Sequence, residues 1–338
     1  FMTARGGAKR ARRLVSHAWK SLFVNTVLNI VLDATGWPRE RLMNGNNGIE
    51  VLGPNFFIDG ILNAPWLLDE LEGETGVLEM TYWLCIFAVD EHHAICGDCW
   101  TCNKTPEWEA NPVEHLRADP CMCCHEPKFN PCKCGSIKYS LGDAHYEIDK
   151  FDLVVEQMDA LVVSLDEDLN SLKRIWVVAE IGKAVQDIHV VFRLAMGITE
   201  HRATNLRDRK PLMDTVERCD ATSEDDRQRI LREIRNMDGG VPGYDVFVNC
   251  MLELSFGQCF RLPELRGSFK SAVGNLTQLE MDFTWAAGFL RSTSDLMDPS
   301  DGNGLSTLLQ LQDLRLNFSN CSRLKDVTSL GQGVGQLQ

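Results

Sequence analysis

"ALVVSLDEDLNSLKRIWVVAEIGKAVQDIHVVFRLA" occupies residues 160–195. Its ends, "ALVVSL" (160–165) and "IHVVFRLA" (188–195), are continuous apolar runs rich in β-branched residues. Runs of that kind fit strands covered on both faces. The middle has a different period. "DEDLNSLKRIWVVAEIGKAVQ" reads as a helix, with Asn170 or Ser171 as its N-cap. Strands alternating with helices imply an α/β domain built on a mostly parallel sheet.

The same alternation continues outward. "RLVSHAW" (13–19) reads as a short buried strand that breaks into a loop at His17. A helix over 20–34 follows and stops at Gly36 and Pro38. Asn25, Asn29 and Asp33 recur every four residues, so they share one face of it. Phe23, Val27, Ile30, Val31 and Ala34 lie opposite, and the expectation is an amphipathic helix packed through that apolar side. Residues 36–80 carry many Gly, Pro and Asn and read as an irregular excursion. "TYWLCIFAVD" (81–90) is another strand covered on both faces, and "KFDLVVEQMD" (150–159) a helix. In "CDATSEDDRQRILREIRNMDGG", Thr222 and Asp225 fit a capping box with Asp in place of Glu, and Gly239–Gly240 ends the helix. The α/β domain is expected to span 12–256, after a basic tail at 1–11.

Composition narrows the function classes. The chain has 338 residues, 44% of them hydrophobic, and a formal charge of −14. Such acidity argues against nucleic-acid binding, which needs a basic face. "KRARR" (9–13) reads as a solvated tail. The apolar stretch behind it imitates a signal peptide, but His17, Lys20 and the asparagine spacing break the pattern. No run reaches the roughly 18–20 apolar residues of a membrane span. The expected compartment is the cytoplasm. The chain starts at Phe1 and stops inside an apparent repeat, as a fragment of a longer protein would.

That repeat fills the region from 257 onward. "LTQLEMDFTWA" (276–286) and "LQDLRLNFSNC" (311–321) superimpose at a spacing of 35 residues. Leu276/Leu311, Leu279/Leu314, Met281/Leu316 and Phe283/Phe318 are the matched apolar pairs, and Gly-containing stretches at 301–305 and 331–334 follow. Leu-x-x-Leu-x-Leu-x-Phe with a later Gly is a leucine-rich-repeat type of pattern, a strand whose alternate side chains enter a stacked core. Two copies cannot bury that core alone, so further repeats are expected.

Eight of the thirteen cysteines crowd into 94–135, within an insertion expected over 91–149. Cys99-x2-Cys102, eighteen residues, then Cys121-x2-Cys124 has the spacing of a zinc ribbon. His92 and Cys96 leave the preceding strand, and Cys132 and Cys134 precede the return to the core. That outer set could close the mouth of the insertion around a second ion. Together the two sets hold one or two structural zinc ions, which a polar loop with few large apolar residues needs to keep a shape. Disulfides are the alternative in an oxidising compartment, and adjacent Cys123–Cys124 leaves a thiol redox sensor open. Cys85, Cys219, Cys250, Cys259 and Cys321 read as core residues.

Several of these pieces carry a resemblance. "LVSHAWK" resembles the first strand and loop of TIR-like (Toll/interleukin-1 receptor fold) domains. "ALVVSLDEDLNSLKRIWVVAE" resembles their third strand and next helix, with Trp176-Val177-Val178-Ala179-Glu180 at a Trp-Cys-x-x-Glu motif. Val177 departs from it. The chain also resembles a large protist family through residues 15–19, 81–96, 150–152, 174–180 and 311–335. The resemblance implies a flavodoxin-like strand order with a crevice at the strand carboxyl ends, where His17, Trp19, Trp176 and Glu180 gather. It implies signalling or recognition through protein contacts: a partner on the repeats, and self-association through the TIR-like domain. Its enzymatic alternative is NAD cleavage, with Glu180 as the catalytic acid steadying oxocarbenium character on the ribose.

Overall fold

The computed structural model describes residues 10–18, 21, 23–36, 71–73, 77–84, 151–195, 197–221, 224–257, 261–286, 289–295, 305, 308–319 and 321–335. The chain divides into two compact units, Phe1–Tyr82 with Val155–Gln338, and Trp83–Val154. Of the smaller unit, only Trp83–Leu84 and 151–154 are described.

A four-stranded sheet forms the centre. Its strands are β1 (Arg13–Ser16), β2 (Tyr82–Leu84), β3 (Ala160–Ser164) and β4 (His189–Arg193), in the order β2-β1-β3-β4. β1 pairs parallel with β3, Val15 beside Val162, and β3 pairs parallel with β4, Val162 beside Val191. All five residues of β3 are buried, as a strand with helices on both faces requires. The order is that of a flavodoxin-like fold.

Helix α1 (Phe23–Thr35) and helix α3 (Ile175–Asp187) both pack on β3 and β4, and so cover opposite faces. Between them in sequence lies the short α2 (Phe151–Val155). Asn29 of α1 reaches the Ser164 hydroxyl, which assigns α1 to the face of Ala160, Val162 and Ser164. Leu161, Val163 and Leu165 point to α3, whose Val178, Ile181 and Val185 are buried.

The orientation of α1 reverses the amphipathic expectation. Asn25, Asn29 and Asp33 are the buried side, whereas Phe23 is exposed and Val27, Ile30, Val31 and Ala34 are half-buried. Each of two polar groups, Asn29 and Asp33, has fixed partners inside. Hydrogen bonds and ion pairs therefore offset the desolvation that would normally turn such a stripe outward.

The start of α3 also differs from expectation. The chain first makes a 3-10 turn, Asn170–Lys173, entered through Leu169 at φ 54°. Neither Asn170 nor Ser171 caps the α-helix, whose N-cap is Arg174. The Asp166 carboxylate instead accepts from the Asn170 backbone N–H (2.7 Å), and Ser171 Oγ donates to the Ser164 carbonyl (2.6 Å).

Helices α4 (Glu200–Arg207), α5 (Glu224–Asn236), α6 (Gly240–Ser255) and α7 (Gly267–Gly274) complete the outer layer. Tyr244 Oη donates to the Val178 carbonyl of α3 at 2.8 Å, directly over Gly182. A Cβ at position 182 would overlap the phenol, so only glycine lets α6 approach α3 this closely. Phe247 and Phe269 stack at 5.1 Å beside Tyr244 and tie α7 to α6.

After α7 the architecture changes. β5 (Gln278–Asp282) and β6 (Asp313–Asn317) form a separate parallel pair with Leu279 beside Leu314 and Met281 beside Leu316, the register the 35-residue spacing gives. Phe283 and Phe318 stack at 4.4 Å, with planes 12° apart. Gly257 (φ +74°) leaves room for the Phe283 ring. A last helix, α8 (Thr328–Val334), is anchored where Leu330 N–H donates to Thr293 Oγ1.

Candidate functional site

In a sheet of this order, β1 and β3 are neighbours whose following connections run to opposite sides. The crevice outside their carboxyl ends is the usual ligand position of open α/β sheets. Ser16 ends β1 and Ser164 ends β3.

Polar side chains organise these ends. Asn29 Nδ2 donates to Ser164 Oγ (2.8 Å) and to the Leu165 carbonyl (2.9 Å), and its Oδ1 accepts from the Ala195 N–H (2.7 Å). One amide thus clamps the ends of β3 and β4. Buried Asp166 accepts from Ser21 Oγ and from both nitrogens of Asn170, which ties the loop after β1 to the turn after β3. Arg202 of α4 donates to the carbonyls of Leu212 and Asp168, each at 3.1 Å.

His17 follows directly on β1. Burial pushes its pKa below the ordinary value, against the opposing hydrogen bond with the Val15 backbone, so the ring is neutral at pH 7. Its Nδ1 and the Ser16 Oγ are buried with no hydrogen-bond partner among the described residues. Ser16 pairs in register with Val163, which turns its side chain toward the α3 face. Glu180 lies on that helix and is 8% exposed. Trp176, one turn earlier, is half-buried under the Arg229 guanidinium of α5, 5.2 Å from its ring centre. The indole therefore fills a contact between two helices. Trp19 lies outside the described residues, as do the expected zinc ligands His92, Cys96, Cys99, Cys102, Cys121, Cys124, Cys132 and Cys134. Among the described residues no group of side chains is arranged to hold a metal ion. No described helix is long and apolar enough to cross a membrane.

A second polar centre escaped the sequence reading. Asp33 has its carboxylate fully buried. It accepts from Arg13 (2.5 Å) and Tyr82 Oη (2.7 Å) through one oxygen, and from Arg193 (3.2 Å) through the other. Arg193 also binds Glu280 of β5 at 2.5 Å. Burial opposes its charge, but the two carboxylates hold its pKa above the ordinary value. Burial and then the nearby Asp33 push the Tyr82 pKa up. Beside this network, burial followed by the two guanidiniums lowers His189 to about 4, so it is neutral. The signal was present as polar residues inside apolar periods: Asp33 in α1 and Arg193 at the end of "HVVFR".

Glu253, near the end of α6, is another buried acid. Its Oε1 accepts from Arg261 at 2.8 Å, and its Oε2 has no partner among the described residues. Burial raises its pKa to about 8, against the pull of Arg261.

No family model matches the chain, and neither does any curated protein or solved structure.

Proposed function

We propose that this chain is a signalling or recognition protein that works by protein contact. In this reading a TIR-like α/β domain carries leucine-rich-repeat-like units as its binding surface, and structural zinc shapes the cysteine-rich insertion. The cytoplasm is its compartment, and self-association through the α/β domain is a second contact.

The observation that supports the reading is exposed apolar surface on and before β6. Met281 of β5 is 0% exposed, whereas its counterpart Leu316 is 37% exposed and Leu309, in the turn that precedes β6, is 64% exposed. An apolar face of this kind marks a contact site. NAD cleavage by Glu180 is the weaker reading, because a carboxylate that holds ribose hydroxyls must be reachable and Glu180 is buried.

Proximity labelling with the full chain and with Leu309→Glu, beside an NAD turnover assay, tests the choice. The expected result is strong neighbours lost in the variant and no turnover. Turnover abolished by Glu180→Gln would overturn it. Metal analysis of reductively purified, folded protein should find one or two zinc ions per chain, a count taken from the cysteine spacing. Finding none removes the structural zinc from the proposal.

A further inference from the structure

We infer that the cleft between β4 and the β5–β6 pair is a binding site for a small phosphate anion, held by Arg13, His189 and Arg315. Arg315 alternates with Leu314 and Leu316 along β6 and so points to the opposite face. The site therefore goes beyond the contact reading and does not depend on it.

Alternation along three strands builds the cleft. His189 and Arg193 share one side of β4, Gln278 and Glu280 one side of β5, and Asp313 and Arg315 one side of β6. All of them line one space, which Arg13 of β1 also borders. The cleft measures about 50 Å³. A water takes about 10–15 Å³ by the same measure, so the space of a few waters suits an ion of phosphate size.

Two of the arginines here have donors to spare. Among the described residues, Arg13 spends only Nη1 on an acid, the fully buried Asp33, and Arg315 spends only Nη2, on Asp313 at 3.2 Å. A guanidinium carries five N–H donors in a planar fork, so most of each fork is left for a ligand. Glu280 is engaged by Arg193, which Asp33 shares. Every acid on the wall is thus matched by an arginine, and binding draws on unspent N–H groups rather than on net charge.

The local potential favours an anion. At His189, burial and then Arg13 and Arg193 lower the pKa to about 4, against the weaker pull of Asp33 and Glu280. The two guanidiniums therefore outweigh the two carboxylates at this point, and the neutral ring can donate one N–H. The donors come from β1, β4 and β6 and approach from different sides. That arrangement fits the tetrahedral oxygens of phosphate better than a carboxylate, whose bonds lie near one plane.

The test is titration calorimetry of the full chain at low chloride with inorganic phosphate, glycerol phosphate and acetate. Phosphate should bind saturably and more tightly than acetate, and in NMR it should shift the amides of His189, Gln278 and Arg315. Arg315→Gln should weaken phosphate by about tenfold or more, as loss of a charge-assisted hydrogen bond does. Arg232→Gln, on α5 and away from the cleft, should leave the affinity unchanged. Both arginines are exposed, so both variants are expected to fold, which far-UV circular dichroism checks. A gain for glycerol phosphate over inorganic phosphate would identify the natural ligand as a phosphomonoester. No gain would identify it as the free ion. Either result supports the site.

Absence of saturable binding up to about 10 mM phosphate, beyond the millimolar range of weak ligands, overturns the inference. Equal affinity of the two variants overturns it as well, since the binding would then be general to the surface. Acetate binding as tightly as phosphate would assign the cleft to a carboxylate, against the inference.

Discussion

Asn29→Leu separates two accounts of α1. If the asparagine stripe faced solvent, the change would replace a polar surface residue with a better helix former and alter stability by no more than about 0.5 kcal/mol. In the structure Asn29 is fully buried, with Nδ2 on Ser164 Oγ and the Leu165 carbonyl and Oδ1 on the Ala195 N–H. Leucine has the same branching and the same number of side-chain heavy atoms with bulkier methyl ends, so no cavity is left and any packing cost is crowding. What is lost is the partner of two backbone groups at strand ends. Stranding a buried polar group costs about 1–3 kcal/mol, so two amount to roughly 2–6 kcal/mol, less a few tenths returned by helix propensity. With an m-value of about 2 kcal/mol/M, the urea midpoint should fall by roughly 1–3 M at unchanged m. Equilibrium urea unfolding followed by tryptophan fluorescence and far-UV circular dichroism reads this directly. A midpoint shift worth less than about 0.5 kcal/mol would refute the clamp.

Glu253→Gln should flatten the pH dependence of stability. The folded pKa of about 8 lies above the ordinary 4.5, so the wild type is favoured below pH 4.5 and loses that part as pH rises through 8, at no more than about 1.4 kcal/mol per pH unit; parallel slopes in urea unfolding at pH 5, 6.5 and 8 would count against it. Gly182→Ala should drive α6 off α3 by crowding Tyr244, with a loss of about 1–3 kcal/mol and a lower Tm by calorimetry. Asp33→Asn removes the charge that Arg13 and Arg193 share, and thermal unfolding should report about 3–5 kcal/mol of destabilisation.

What the sequence made legible was what repeats or alternates. β3, β4 and the helix between them follow from apolar runs and a change of period, because burial on both faces leaves only apolar residues in place. The 35-residue spacing predicted the β5–β6 register residue by residue, since stacked copies must align their inner rows. What stayed hidden was polar and long-range. Asn29 and Asp33 look like a solvent face until Ser164, Arg13 and Arg193 are brought to them from distant positions. The Arg229 guanidinium over Trp176 stayed hidden for the same reason, since it lies in a later helix. His17 was correctly placed at the end of β1, because a strand followed by a break needs no distant information.

Arg193 lies between Asp33, beside the central sheet, and Glu280, on β5. Its guanidinium belongs to both regions, and neither region holds a balanced set of charges without the other. The familiar engineering habit of cutting such chains where one architecture gives way to the next would here leave a cation in an apolar wall with half its counter-charge. A chimera that replaces the segment carrying β5 and β6 must therefore bring an acid at position 280, or trade Arg193 for an uncharged residue in the same step.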